Sequence, residues 1–196
     1  YGDISLDQDP VNEITSYNPS SPYSASKAAA DHLIKAYYRT YGLPGLVSNC
    51  SNNYGPYQNN EKFIPVIINK LLSGGRVPIY GDGNQIREWI YVDDHCKALL
   101  LLMMHGKIGE SYNIGSGVEI NNKDLIKSIL NYLEKKLLIK KKNFNEHINF
   151  VDDRLGHDKR YAINSSKINQ LCNWKPTTNF DTGIKKTINT LINIKK

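Results

Sequence analysis

The chain has 196 residues, of which 40% are hydrophobic and 22% charged, a composition that suits one large globular domain or two small ones. Its net charge is +6, but much of the excess lies in Glu134 to Lys142 and in the C-terminal Lys195 and Lys196. Such lysine runs are usually solvated surface, so we expect no nucleic-acid partner. The longest apolar run, Ala98 to Met104, is too short to span a bilayer, so we expect no membrane partner. Composition favours a globular protein with a small anionic ligand.

Cysteine usage bears on the compartment and on metal binding. Cys50, Cys96 and Cys172 show neither a C-x-x-C motif nor a spacing typical of metal ligands. A reduced, cytoplasmic setting is the simplest interpretation. The histidines show no metal spacing either, and we expect no metal site.

The first long element is a helix that begins at Ser21 or Pro22. Ser21 can cap it, and proline is favoured at the first helical position. Gly42 suits a left-handed residue after its end, and Pro44 blocks continuation. One face of this helix carries small or apolar residues: Ala25, Ala28, Ala29, Leu33 and Ala36.

Strands and helices alternate along the rest of the chain, which predicts an α/β architecture. Residues 45–51 predict a short buried strand and residues 52–60 a loop rich in turn formers. Residues 61–75 predict a helix with Pro65 in its first turn. Further predicted elements are strands at 77–80, 87–92, 111–115 and 147–151, a capped buried helix at 93–106, an amphipathic helix at 121–138, a charged loop at 152–164, and helices near 166–171 and 180–192.

Tyr23 and Lys27 stand four residues apart and therefore share one face of the first helix. A free tyrosine is a poor base at neutral pH because its pKa is about 10. A nearby ammonium group favours the phenolate, which can then take a proton from an alcohol while hydride leaves the same carbon. The spacing alone also fits an ordinary pair of surface residues, so the surrounding sequence decides between the two.

The strings "YSASKAAADHLIKAYYRTYGLP", "CSNNYGPYQNNEKFIP", "VPIYGDGNQIREWIYVDDHCKAL", "YNIGSG" and "DRLGHDKRYAI" provide that context. Together they resemble the dTDP-glucose 4,6-dehydratases of the extended short-chain dehydrogenase/reductase family, over essentially the whole chain. The resemblance implies the C-terminal part of an NAD-binding Rossmann fold plus a small α/β substrate-binding domain. Residues 1–196 would form part of an NAD-dependent epimerase/dehydratase domain.

The resemblance also implies a reaction: oxidation at C4 of dTDP-glucose, elimination of water across C5 and C6, and return of hydride to C6, with NAD as cofactor. Tyr23 would be the base for the oxidation, Lys27 would support it, and Asn53 would touch the nicotinamide end of NAD. Family members pair as homodimers through a bundle that includes the Tyr–Lys helix. The residues implied to bind the nucleotide sugar are Asn52, Lys62, Phe63, Pro78, Ile79, Tyr80, Arg87, Asn122, Asp153, Arg154 and His157.

Several of these residues have a structural alternative. Arg87 could pair with a surface acid, His157 could be a loop residue without a ligand, and Lys62 could simply begin a helix. Asn122 could be a helix N-cap. Asn52 and Asn53 could be turn residues.

Two features of such an enzyme do not occur in this sequence: a Gly-rich turn for the NAD pyrophosphate, and the Thr-Asp-Glu acids of the elimination. We therefore expect the chain to be the C-terminal portion of a longer enzyme that, alone, neither retains NAD nor forms product. Three alternatives stay open: a 4-epimerase or decarboxylase of the same superfamily, a non-catalytic nucleotide-sugar-binding module, and a basic nucleic-acid binder.

Overall fold

The computed structural model describes residues 1–194, so the C-terminal Lys195 and Lys196 lie outside the described residues. Helices and strands alternate through most of the chain. The helices are α1 Pro22–Tyr41, α2 Phe63–Leu72, α3 Val92–His105, α4 Asn122–Lys135, α5 Phe144–His147, α6 Ser166–Cys172 and α7 Phe180–Ile194. The strands are β1 Val47–Cys50, β2 Asn52–Tyr54, β3 Val77–Tyr80, β4 Ile86–Tyr91, β5 Ser111–Ile114, β6 Glu119–Asn121, β7 Ile148–Val151 and β8 Arg160–Tyr161.

Helix α1 has the ends that its sequence predicts. The Ser21 hydroxyl accepts a hydrogen bond of 3.1 Å from the backbone N–H of Ser24, and Pro22 is the first helical residue. Gly42 adopts φ 69°, a left-handed conformation that costs glycine little, and its N–H bonds to the last turn. None of the helix's residues is buried within the described chain, so α1 presents both its polar and its apolar side chains to the surface.

The strands form small sheets in which parallel pairing dominates. Strand β1 pairs with β5, and β3 pairs with β7, both in parallel. Strand β4 lies at the centre of the third sheet, parallel to β2 and β8 and antiparallel to β6. Parallel strands connected by helices confirm the predicted α/β class.

Two apolar clusters fix the helices against these sheets. Burial of such side chains is the main favourable term in folding. The larger cluster includes Ile64, Ile67 and Ile68 of α2, Leu125, Ile126, Ile129 and Leu133 of α4, and Ile184 and Ile188 of α7. The second joins α3, β5 and α6 through Ala98, Leu102, Tyr112, Ile114, Ile168 and Trp174.

The predicted helix at 93–106 is present and its end is capped by Gly106, whose N–H donates to the Leu102 carbonyl at 2.8 Å, but the prediction that it is buried is wrong. Only Asp94, Ala98 and Leu102 of α3 are buried, whereas Met103 is 81% exposed. The run of consecutive apolar residues covers every side of the helix, so one face packs and the rest does not. Tyr91, at the N-cap position, makes no capping hydrogen bond through its side chain. Among residues 1–194, no helix combines the length and apolar character needed to cross a membrane.

Short strands are where the sequence predictions fail most often. Residues 52–54, predicted as loop, form β2, which pairs with Trp89–Tyr91 of β4. Residues 160–161 of the predicted charged loop form β8, and no sequence pattern indicated β6. Each of these strands has only two or three residues and pairs with β4. Their extended conformation therefore comes from a partner distant in sequence, and not from local propensity.

Candidate active site

A cleft of about 780 Å³ lies at the surface of the protein. Residues from α1, from β1 and β2, from the start of β4 and from the loop at 152–159 line it. It also receives Tyr1 and Tyr17 from the N-terminal segment. Six of the residues predicted from the sequence meet here: Tyr23, Lys27, Asn52, Arg87, Arg154 and His157.

Tyr23 and Lys27 both face this cleft from the first two turns of α1. The Tyr23 side chain is 73% exposed. Within residues 1–194, neither its hydroxyl nor the Lys27 ammonium has a hydrogen-bond partner. The two polar groups therefore lie in the cleft and are available to a ligand.

Asn53 has a fixed orientation on β2. Its Nδ2 donates to the Ser51 carbonyl at 3.2 Å and approaches Cys50 Sγ at 3.3 Å. Its Oδ1 lies 2.8 Å from Nδ1 of His95. Because Oδ1 can only accept, His95 Nδ1 carries the proton. The Asn53 side chain is thus not a solvent-exposed turn residue.

His95, which the sequence analysis did not single out, has one nitrogen left over. Its Nε2 is buried and has no partner among the described residues. Burial lowers the pKa of His95, which favours the neutral imidazole with a free acceptor. A buried acceptor without a donor costs free energy, so a buried water is the natural partner for this atom, which does not line the cleft.

Arg87 lies at the start of β4 and lines the cleft. Its Nη1 donates to the Ile86 carbonyl and its Nη2 to the Asp158 carbonyl, each at 2.7 Å. Burial lowers the pKa of Arg87, and the nearby Asp158 carboxylate opposes that shift. Among residues 1–194, Arg87 donates to backbone carbonyls and forms no ion pair, so its charge is available to an anion. A guanidinium held this way suits phosphate oxygens.

The loop at 152–159 contains a chain of hydrogen bonds among three predicted residues. Arg154 Nη2 lies 2.7 Å from His157 Nε2, and His157 Nδ1 lies 2.6 Å from Asp153 Oδ1. Because arginine only donates, His157 accepts through Nε2 and donates through Nδ1 to the carboxylate. This bond from His157 lowers the pKa of Asp153. The Arg154 guanidinium also stacks over the Tyr80 ring, 5.0 Å from its centroid.

Asn122 connects to this group through Gln85. Its backbone N–H donates to the Gln85 carbonyl at 3.1 Å, and its Nδ2 to Gln85 Oε1 at 3.4 Å. The N-cap of α4 is Asn121, whose Oδ1 accepts from the Asp124 N–H at 2.8 Å. The alternative that Asn122 caps this helix is therefore wrong.

The predicted residues at the start of α2 and on β3 lie outside the cleft lining. Lys62, the residue that precedes α2, is exposed and forms an ion pair with Glu61 at 3.3 Å. Phe63 packs against the larger apolar cluster. On β3, Ile79 is 1% exposed and faces the core, whereas Pro78 and Tyr80 alternate to the other face, as the period of a strand requires. A ligand beside β3 would thus meet Tyr80 and the backbone, and not the Ile79 side chain.

Further residues, which no local sequence signal identified, support the cleft. The Tyr17 hydroxyl donates to Asp31 Oδ2 at 2.8 Å, and the Tyr1 hydroxyl donates to Asn113 Oδ1 at 2.8 Å. Burial, followed by the hydrogen bond with Asp31, raises the pKa of Tyr17. These tyrosines are donors and stay protonated, so their role is to hold the cleft wall. In residues 1–194, no group of three or more His, Cys, Asp or Glu side chains could hold a metal ion.

The chain is similar to known proteins over nearly all of its length. The family model for GDP-mannose 4,6 dehydratase matches residues 1–187. A dTDP-glucose 4,6-dehydratase of Escherichia coli is 53% identical over 176 residues, which are 90% of this chain and 48% of that protein. The chain thus spans about half the length of this relative.

Solved structures give the same result. DesIV, a dTDP-glucose 4,6-dehydratase from Streptomyces venezuelae with NAD bound, superposes with a TM-score of 0.90 at 39% identity, over 98% of this chain and 56% of that one. A UDP-glucose 4-epimerase of Thermotoga maritima has a TM-score of 0.86 at 25% identity, over 98% and 60%. The fold is therefore shared with epimerases, whereas the sequence is closer to the dehydratases. The chain belongs to the GDP-mannose 4,6-dehydratase family and is homologous to its dTDP-glucose 4,6-dehydratases.

Proposed function

We propose that the polypeptide containing this sequence converts dTDP-glucose to dTDP-4-keto-6-deoxy-glucose with NAD as cofactor. The observation that carries the proposal is that the Tyr23–Lys27 pair lies in a cleft that also holds Arg87 and Arg154. A proton acceptor beside two guanidinium groups suits an alcohol attached to a diphosphate. The 53% identity to a dTDP-glucose 4,6-dehydratase favours dehydration over epimerisation.

The described residues fit the nicotinamide end of NAD. Tyr23 and Lys27 offer polar groups without partners among residues 1–194, and Asn53 has a fixed orientation next to the cleft residue Asn52. Lys27 would hold the ribose hydroxyls, and the Asn53–His95 pair would lie beside the nicotinamide. NAD, when bound, supplies the hydride acceptor at C4 and the hydride donor at C6.

Tyr23 takes the proton from the C4 hydroxyl, and the Lys27 ammonium stabilises the phenolate that this step requires. Asn52 lines the cleft and would orient the sugar. We assign no residue of this sequence to the elimination of water.

On the nucleotide side, Arg87 and Arg154 would bind the diphosphate, and Tyr80 would lie beside the base. Asp153, His157 and Asn122 belong to the same hydrogen-bonded group. Pro78, Ile79, Lys62 and Phe63 have weaker support, since their side chains do not line the cleft.

We further infer the arrangement of domains and subunits. Strands β1 and β5 with α1 would be the last part of the Rossmann fold, and the cluster around α2, α4 and α7 the substrate-binding part. Helix α1 exposes Leu33, Tyr37 and Tyr41, which makes it our candidate for the contact between two copies in a homodimer.

The test is to incubate dTDP-glucose with the polypeptide that contains this sequence and to measure the product by mass spectrometry. The product should be lighter than dTDP-glucose by one water. Tyr23→Phe should lower kcat by about 10²–10⁴-fold, the usual contribution of a positioned base. Tyr38→Phe, on the same helix but outside the cleft and outside the proposed contact between copies, should leave kcat unchanged. Undiminished turnover by Tyr23→Phe would overturn the role of that residue, and a product that keeps its water would overturn the proposed reaction.

A further inference from the structure

Gln85 occupies the point where two separate parts of the candidate nucleotide site meet. It precedes β4 and is only 6% exposed. Its Nε2 donates to Asp153 Oδ2 at 3.1 Å, in the loop at 152–159. Its Oε1 accepts from Asn122 Nδ2 at 3.4 Å, at the start of α4.

Asp153 connects Gln85 to other residues of the loop. While Oδ2 accepts from Gln85, Oδ1 accepts from His157 Nδ1 at 2.6 Å. His157 in turn accepts from Arg154, whose guanidinium lies over Tyr80. A continuous path of side-chain contacts therefore runs from Gln85 to the arginine that faces the cleft.

The backbone around Gln85 also brings the two parts close together. Gly81, in the turn after β3, has φ 58°, and a Cβ added there would lie 2.7 Å from Asp153 Oδ2 and 3.1 Å from Gln85 Nε2. The turn thus permits Asp153 to reach Gln85 only because residue 81 is a glycine. The side chains of Gln85 and Asp153 therefore meet against the backbone of Gly81, while Asp153 stays exposed on its other side.

We propose that Gln85 is a positioning residue, which holds the loop at 152–159 so that Arg154 and His157 face the nucleotide sugar before it binds. The inference rests on the proposed function and deepens it. Loop residues that are ordered in advance lose less conformational freedom on binding, and affinity rises accordingly. An amide is the required group because it donates to a carboxylate through one end and accepts from Asn122 through the other.

The first experiment compares Gln85→Leu with the unmodified protein. The KM for dTDP-glucose should rise roughly tenfold, the factor that one hydrogen bond to a charged group supports, while kcat stays within about twofold. Amide hydrogen exchange of residues 152–158, measured without ligand, should become faster. Gln170→Leu makes the same change on the exposed face of α6 and should alter neither quantity.

The decisive variant exchanges donor and acceptor. Gln85→Glu alone places a carboxylate against Asp153 and should raise KM at least as much as Gln85→Leu. Adding Asp153→Asn restores the bond, because the new amide at position 153 donates to the introduced carboxylate while its oxygen still accepts from His157. The double variant should recover the slow exchange of residues 152–158, which is measured without ligand and so does not depend on any contact between Asp153 and the substrate.

Equal KM and equal exchange in Gln85→Leu, or a double variant whose residues 152–158 exchange as fast as in Gln85→Glu, would overturn the role of Gln85. A fall in the kcat of Gln85→Leu without a change in its KM would also overturn this role. If the unmodified protein does not turn over dTDP-glucose, the proposed function fails, and the exchange comparison still decides whether Gln85 orders the loop.

Discussion

Replacement of Arg87 by methionine should strongly weaken the binding of dTDP to the polypeptide that contains this sequence. Two of the guanidinium N–H groups are used on the carbonyls of Ile86 and Asp158, and the remaining ones are available to a diphosphate. Methionine keeps the apolar length of the side chain and removes the charge and all donors. The change therefore removes the interaction with the anion together with the two bonds to backbone carbonyls.

The expected magnitude follows from the number of bonds that the free edge of the guanidinium can form. Two hydrogen bonds to charged oxygens contribute roughly 1.5–3 kcal/mol each, and partial exposure to solvent places the sum near the lower end, about 3 kcal/mol. That free energy corresponds to a dissociation constant roughly 100-fold higher. Arg87→Lys keeps the charge without the fork and should lose about tenfold.

Isothermal titration calorimetry with dTDP measures these constants directly. Arg76→Met is the matched control, since Arg76 is exposed, lies outside the cleft and bonds only to the Glu146 carbonyl among described residues. The reasoning would be refuted by an Arg87→Met protein that binds dTDP within threefold of the unmodified protein, or by an equal loss in the control.

Two stability predictions concern the framework of the site. Asp94 is 1% exposed and accepts three hydrogen bonds from residues 177–178. Asp94→Ala should therefore lower the free energy of unfolding in urea by about 3 kcal/mol. The control Asp93→Ala, at an exposed residue, should lower it by less than about 1 kcal/mol. Burial alone would raise the pKa of Asp94, but these bonds hold it below its ordinary value. The stabilisation by the Asp94 carboxylate should thus be complete above about pH 4 and be lost as the pH falls further, so that the stabilities of Asp94→Asn and of the unmodified protein converge in acid. Equal stability of these two proteins at neutral pH would contradict this. At Gly183, an added Cβ would overlap the Tyr54 hydroxyl, so Gly183→Ala should cost about 1–3 kcal/mol of stability by thermal denaturation, and an unchanged Tm would show that Tyr54 moves aside freely.

Local sequence signals predicted the parts of the fold that local physics determines. The ends of α1 follow from Ser21, Pro22 and Gly42, each of which acts on its own turn of helix. Strand β2 could not be found in the same way, because Asn52 and Asn53 are turn formers that become extended only against β4. Pairing between distant segments is not encoded in a short window of sequence.

The candidate site shows the same division. Tyr23 and Lys27 were identifiable because their spacing on a helix, a weak signal alone, occurs within strings that resemble the dTDP-glucose 4,6-dehydratases. Gln85 and His95 were not, since each acts on a residue from another element, Asp153 and Asn53 respectively. Which of two polar neighbours points into the cleft depends on packing that only the folded chain reveals.

The most direct test of the central claim follows the hydrogen at C4. dTDP-glucose deuterated at C4 is incubated with NAD and the polypeptide that contains this sequence, and the product is examined by mass spectrometry and NMR. Our account predicts a nucleotide sugar that has lost one water and carries the deuterium at C6. A product of unchanged mass with inverted configuration at C4 would instead indicate an epimerase and contradict the account, as would the absence of conversion of dTDP-glucose.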